Sequence, residues 1–141
     1  MAIEIRAFAA ADTPQALTLW RSCEGIGLSS ADEPQRIAGY LTRNPGMSFT
    51  AWDGDTLIGA VLCGHDGRRG YLHHLAIEQA YRGQGIGRAL VDCCHAALRA
   101  QGIDKVHIFV YRENEAALSF WKGVHYVPRD KLALLSASLT D

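Results

Sequence analysis

The chain has 141 residues, 48% hydrophobic and 21% charged, with a formal net charge of −1. These values suit one globular domain with its own core, here expected over residues 1–141. They argue against a broad basic field for nucleic acid, and no apolar run approaches the roughly 18 residues that cross a bilayer. Four cysteines, Cys23, Cys63, Cys93 and Cys94, follow neither C-x-x-C nor a disulfide framework, so a reducing cytoplasm is expected.

Ile3 and Ile5 alternate with Glu4 and Arg6, at strand period and without the basic-then-apolar layout of a leader. Asp12-Thr13-Pro14 supplies a cap and a first-turn proline for a helix carrying Leu17 and Trp20, ended by Gly25-Ile26-Gly27. A second helix is predicted from about Asp32 to Thr42, where Asn44-Pro45-Gly46 breaks it. Phe49 to Trp52 and Leu57 to Cys63 flank Asp53-Gly54-Asp55 as a hairpin. Asp66 to Gly70 reads as a loop and Tyr71 to Ile77 as the next strand. Residues 86, 90, 94, 97 and 98 mark the buried face of a helix over 86–100, closed by Gly102. Val106 to Tyr111 predicts a strand, and Asn114 caps a helix reaching Gly123. Tyr126-Val127 and Leu132 to Leu139 predict two final strands. The order β-α-α-β-β-β-α-β-α-β-β is a mixed α/β (α+β) layered fold.

The informative stretch runs from Leu75-Ala76-Ile77 through Arg82-Gly83-Gln84-Gly85-Ile86-Gly87-Arg88. A strand enters a glycine-rich turn that opens a long helix. A helix N-terminus presents unpaired N–H groups and positive dipole, and glycines let a phosphate come close. No G-x-x-x-x-G-K-[ST] run exists. The spacing G-x-G-x-x-G fails twice, because Arg88 and Leu90 stand where the third glycine belongs.

Arg82-Gly83-Gln84-Gly85-Ile86-Gly87 fits R/Q-x-x-G-x-G/A, and the chain resembles small bacterial members of the GNAT family of N-acetyltransferases. The likeness is strongest over 71–126. It implies a mostly antiparallel sheet with a central pair of splayed parallel strands flanked by helices. It also implies acetyl-CoA as cosubstrate, with Arg82, Gly83, Gln84, Gly85, Ile86, Gly87 and Arg88 at the pyrophosphate. The backbone of Leu75, Ala76 and Ile77 would lie along the pantetheine arm. Asn114 would contact the pantetheine or thioester region, and as a plain alternative serve as an N-cap.

Two positions depart from the family's A-x-x-F-Y and G-F pattern. Trp121 replaces the tyrosine that commonly acts as general acid, and His125 replaces the glycine. An indole N–H donates but does not release its proton. Three explanations stay open: another residue is the acid, with Tyr126, His125 and Tyr111 nearby; the thiolate leaves without one, since a thiol pKa is about 8.5; or the chain binds CoA and catalyses weakly.

Attack on a thioester needs a neutral amine, hence a base. Strict alternation over Tyr71-Leu72-His73-His74-Leu75 puts Tyr71, His73 and Leu75 on one face and Leu72, His74 and Ala76 on the other. His73 matches a histidine of the family's arylalkylamine members, and Tyr71 stands where histone-type members carry a glutamate. His73 is therefore the candidate base, since imidazole titrates near neutrality, and His74 is expected to pack on the opposite face. Glu78, at the strand's end, is a further candidate base or, alternatively, an exposed group. Glu24, Asp32 and Glu33 lie in the acceptor-side wall, as attractors for a cationic amine or as ordinary surface charges. Arg68, Arg69 and Arg112 would reach the CoA 3′-phosphate or simply solvate loops. His73-His74 with Cys93-Cys94-His95 lacks metal-ligand spacing, so no metal is expected.

The reading is an N-acetyltransferase moving acetyl from acetyl-CoA to a primary amine by direct attack; the alternative is an acyl-CoA-binding sensor of the same fold. Acceptors are small-molecule or peptide amines. No nucleic-acid or membrane partner is expected, and a homodimer is compatible with the family.

Overall fold

Five strands, β1 (Ile3–Ala7), β2 (Phe49–Asp53), β3 (Thr56–His65), β4 (Gly70–Ile77) and β5 (Val106–Ile108), lie side by side in sequence order. The computed structural model describes residues 2–140, so Met1 and Asp141 lie outside it. Antiparallel pairing joins β1 through β4, and β4 pairs with β5 in parallel. Among the described residues the α-helices are α1 (Thr13–Ser22), α2 (Pro34–Arg43), α3 (Ile86–Ala100) and α4 (Glu115–Gly123). Residues up to Phe109 form one compact unit, and those from Val110 onward form a second.

In the first unit, one sheet face meets α1 and α2. Ala16, Leu17, Leu19 and Trp20 of α1 and Ile37 of α2 bury against Trp52, Leu57, Ala60, Leu62 and Ala76. Each fully buried large side chain contributes about 1.5–3 kcal/mol. The other face takes the Ile86, Leu90, Val91, Cys94 and Leu98 side of α3. Gly70 permits the close approach, since a Cβ there would meet Leu98 at 2.8 Å. Pro14 stands in the first turn of α1 as expected, whereas α2 starts at Pro34 and not at Asp32, which closes a separate 3-10 turn over Ser30–Asp32. Asp12 does not cap α1 with its side chain; its Oδ2 accepts the Ala9 N–H at 2.9 Å, closing a 3-10 turn over Ala10–Asp12.

β4 contains a bulge. Ala60 pairs with Ala76 and Leu62 with His73, so His74 and Leu75 together oppose Val61. His74 occupies the left-handed region, at φ +56°. The bulge corrects two expectations. Strict alternation fails, because the extra residue reverses the parity of the strand. His74 therefore shares the α1 side with His73, their rings 6.4 Å apart, while Leu72 is fully buried. Pairing with β5 also stops at Leu72–Ile108. β5 ends at Ile108 and not at Tyr111, because beyond Leu72 the bulged strand offers no regular ladder.

In the second unit, Asn114 caps α4 by accepting the Ala117 N–H at 3.1 Å. The helix ends in a Schellman motif: Tyr126 N–H donates to Trp121 O at 2.9 Å and His125 N–H to Lys122 O at 3.0 Å. The strands expected over 126–127 and 132–139 do not form. Pro128 has no N–H to give a ladder, and Leu134 and Leu135 are both exposed. Apolar alternation makes a strand only where a neighbouring edge pairs with it, and this unit has no strand among its described residues.

Candidate active site

The turn after β4 is built from short local bonds. Glu78, half-buried rather than exposed, accepts the Ala80 N–H at 3.0 Å and so caps the 3-10 turn Gln79–Tyr81. Gly83 and Gly85 then adopt φ +80° and +82°, values that glycine takes without a Cβ clash. Gly85 is the N-cap of α3. The first helical bond runs from Ala89 N–H to Gly85 O at 3.0 Å, so the amides of Ile86, Gly87 and Arg88 precede the ladder. Arg82, Gly83, Gln84, Gly85 and Arg88 are exposed and Gly87 half-buried.

The first turn of α3 holds no carboxylate and carries Arg88. A cation at the positive end of a helix dipole is disfavoured unless an anion balances it. The amides of Ile86, Gly87 and Arg88, the left-handed Gly83 and Gly85, and Arg88 thus lie together at the start of α3, groups whose chemistry suits an anion.

Arg82 is employed locally. Its Nε–H donates to Ile77 O at 2.9 Å and its Nη2 lies 3.7 Å from Cys23 Sγ. It clamps the end of β4 to the residue after α1. The Tyr81 hydroxyl, which sequence reasoning passed over, donates to Asp53 Oδ2 at 2.5 Å. That bond keeps the phenol proton on above its usual range. No motif signals it, because the partners are 28 residues apart.

From His73 to Ile77, β4 keeps β3 on one side and has no partner strand on the β5 side. This open edge includes Leu75, Ala76 and Ile77 and leads straight to the turn. It is the kind of edge along which an extended polar chain lies.

The α1/α2 side of the same stretch is aromatic. His73 stacks with Tyr71 at 6.5 Å and with Phe109 at 6.3 Å, and meets Tyr40 edge-on at 6.1 Å. Burial pushes the His73 pKa down, the neighbouring His74 imidazole would add to this whenever it is protonated, and Asp32 opposes it to a smaller extent. Its charged form is therefore disfavoured. His74 Nε2 lies 2.9 Å from Asp32 Oδ1. Asp32 is buried, at 8% exposure, and not the surface charge that the sequence suggested. Glu24 and Glu33 are exposed. Of the arginines expected near a 3′-phosphate, Arg69 pairs with Asp104 at 3.0 Å, and Arg68 and Arg112 are exposed.

The structure brings Tyr71, His73, Leu75, Ala76, Ile77 and residues 82–88 onto one strand, turn and helix start. Asn114, Trp121 and Tyr126 belong to the second unit. There Trp121 is buried and meets Tyr126 edge-to-face at 4.8 Å, as the apolar contact of the Schellman motif. Among the described residues, no group of three or more His, Cys, Asp or Glu is placed to hold a metal ion, and no helix is long and apolar enough to cross a membrane.

The sequence profile of the Acetyltransferase (GNAT) family matches residues 14–126. An acetyltransferase of Sodalis glossinidius (strain morsitans) is 30% identical over 139 residues, 99% of this chain and 97% of its own. An acetyltransferase of Pectobacterium atrosepticum is 30% identical over 132 residues, 94% of this chain and 93% of its own. Among solved structures, Ard1 from Thermoplasma volcanium superposes with a TM-score of 0.79 at 19% identity, covering 90% of this chain and 84% of its own. The PaiA N-acetyltransferase of Thermoplasma acidophilum, crystallised with coenzyme A, gives 0.76 at 20% identity, covering 88% and 89%. The parallel β4–β5 pair within an otherwise antiparallel sheet agrees with these folds. On the profile match and the two full-length relatives, this chain belongs to the GNAT family of acetyltransferases.

Proposed function

We propose that the chain acts as one N-acetyltransferase domain that carries acetyl from acetyl-CoA to a primary amine. The observation that carries this reading is the continuous path from the open edge of β4 to the cradle at the start of α3. The pyrophosphate would rest on the amides of Gly85, Ile86, Gly87 and Arg88, with Gln84 and Arg88 beside it. The pantetheine would follow Leu75, Ala76 and Ile77, whose backbone N–H groups would polarise the thioester carbonyl. On the family pattern alone, Asn114 and Trp121 are candidates for contact with a CoA cofactor, and Tyr71 and Tyr126 for proton delivery.

The amine would enter on the aromatic side of β4, which carries His73 and His74 as available bases. Small-molecule and peptide amines both suit that face, and no metal takes part. The four free cysteines accord with work in a reducing cytoplasm.

A thermal-shift titration tests the cofactor. At 100 times Kd, acetyl-CoA adds about 2.7 kcal/mol, a rise of roughly 5–12 °C for a chain of this size. A saturable shift, absent with adenosine, is expected. No shift at millimolar acetyl-CoA overturns the reading.

A further inference from the structure

The bulge in β4 gives this chain a histidine–carboxylate pair at the open edge. Asp32 follows Ser29-Ser30-Ala31 in a 3-10 turn ahead of α2. Its two oxygens have separate tasks: Oδ2 accepts the Ser29 N–H at 2.9 Å, and Oδ1 meets His74 Nε2 at 2.9 Å. With Asp32 as a carboxylate and the ring neutral, Nε2 would carry the proton and Nδ1 the lone pair. Among the described residues, no group hydrogen-bonds Nδ1. The imidazole is held on its other sides by Trp20 of α1, ring to ring at 5.2 Å, and by His73 of β4 at 6.4 Å. Its side chain retains 18% exposure.

A ring whose tautomer is fixed by a buried carboxylate, with the second nitrogen unengaged, is the arrangement that readies an imidazole to take a proton. The left-handed backbone of His74 turns this ring to the α1 side within the stretch of β4 that lacks a β5 partner. His73 differs. Its neighbours are rings, no carboxylate orients it, and burial disfavours its charged form.

We propose that His74, oriented by Asp32, takes the proton from the acceptor amine during acetyl transfer. The proposal rests on the acetyltransferase reading of this chain. An ammonium acceptor gives one proton to Nδ1, and the nitrogen lone pair forms the C–N bond at the thioester carbon. The C–S bond then breaks with its electron pair on sulfur. The second N–H proton passes to that thiolate as the amide forms, and the imidazolium, facing Asp32, returns its proton to solvent. Ammonium and acetyl-CoA yield amide, CoA thiol and one proton. His74 is the catalytic residue of this step and Asp32 a positioning residue.

The test compares two amines with the whole chain. Butylamine is protonated at pH 7 and needs a base; hydroxylamine is neutral and does not. His74→Asn is chosen because asparagine tolerates left-handed backbone. It should lower kcat for butylamine about 100-fold or more. Hydroxylamine turnover should stay within about threefold, and the acetyl-CoA Kd should not change. Asp32→Asn should slow butylamine turnover in the same selective way, and adding it to His74→Asn should cost nothing further. Equal slowing of both amines, or of neither, overturns the proposal. Nitrogen-15 NMR of the wild type gives an acceptor-independent check: a proton found on Nδ1 of His74 in place of Nε2 also overturns it. Failure of the wild type to bind acetyl-CoA would instead defeat the acetyltransferase reading.

Discussion

The Tyr81 hydroxyl donates to the Asp53 carboxylate across 2.5 Å, which ties the turn ahead of α3 to the last residue of β2. Gly83 and Gly85 give that turn its backbone freedom; this bond and the Arg82 contact to Ile77 O give it a fixed position. A preformed turn binds an anion without first paying for its own ordering. Tyr81→Phe is expected to weaken acetyl-CoA binding roughly 3- to 10-fold, the weight of one hydrogen bond. Calorimetric titration reads this directly, and an unchanged Kd would show that the tie does not serve the cradle.

Gly85 sits at φ +82° with open space where a Cβ would be. Gly85→Asn suits that backbone yet places a side chain over the amides of α3. The variant should fold with a Tm within a few degrees of the parent and bind acetyl-CoA at least about 10-fold more weakly. Normal binding by the folded variant would remove the phosphate from this turn.

His125 occupies the left-handed position of the Schellman motif, at φ +73°. Glycine holds that position more readily, and a side chain there costs about 1–2 kcal/mol. His125→Gly should therefore raise stability by about 1 kcal/mol in a denaturant melt, and His125→Val should lower it. A loss of stability with glycine would mean that the imidazole makes a contact worth more than the backbone strain.

The stability of the fold should respond to mild acid. Burial lowers the folded pKa of His73, and burial likewise lowers that of His95, with Arg99 adding to the effect. The unfolded chain binds these protons from the usual histidine value of 6.5 downward, whereas the folded chain binds them only at lower pH. Stability is therefore complete above about pH 6.5 and falls as pH drops through the window beneath it. Chemical denaturation at pH 7.5 and 5.5 should show the loss, and His73→Gln should shrink it. An equal loss in the variant would place the dependence elsewhere.

Most of the first unit was legible in the sequence. Ile3-Glu4-Ile5-Arg6, the Asp53-Gly54-Asp55 turn and the 86–98 apolar spacing each predicted the element found. Proline starts and the Gly83/Gly85 turn fall where local chemistry requires them. What escaped was non-local. A period of two cannot register an inserted residue, so alternation alone puts His74 on the wrong side and carries β5 past Ile108. Asp32 and His74, like Asp53 and Tyr81, come together only through the fold. The C-terminal leucines have strand composition, but composition does not supply a partner edge. His125 stood out as a departure from the family pattern, while its role as a helix stop needed the backbone.

The most direct measurement is thiol release from acetyl-CoA with and without amines, over a panel of a free-N-terminus peptide, a polyamine, an aminoglycoside and a simple alkylamine. The account predicts saturable, amine-dependent release with one acetylated product per thiol, and loss of both in Gly85→Asn. Tight binding of acetyl-CoA with no amine-dependent release for any acceptor would contradict it, and would make the chain a sensor of the cofactor and not its consumer.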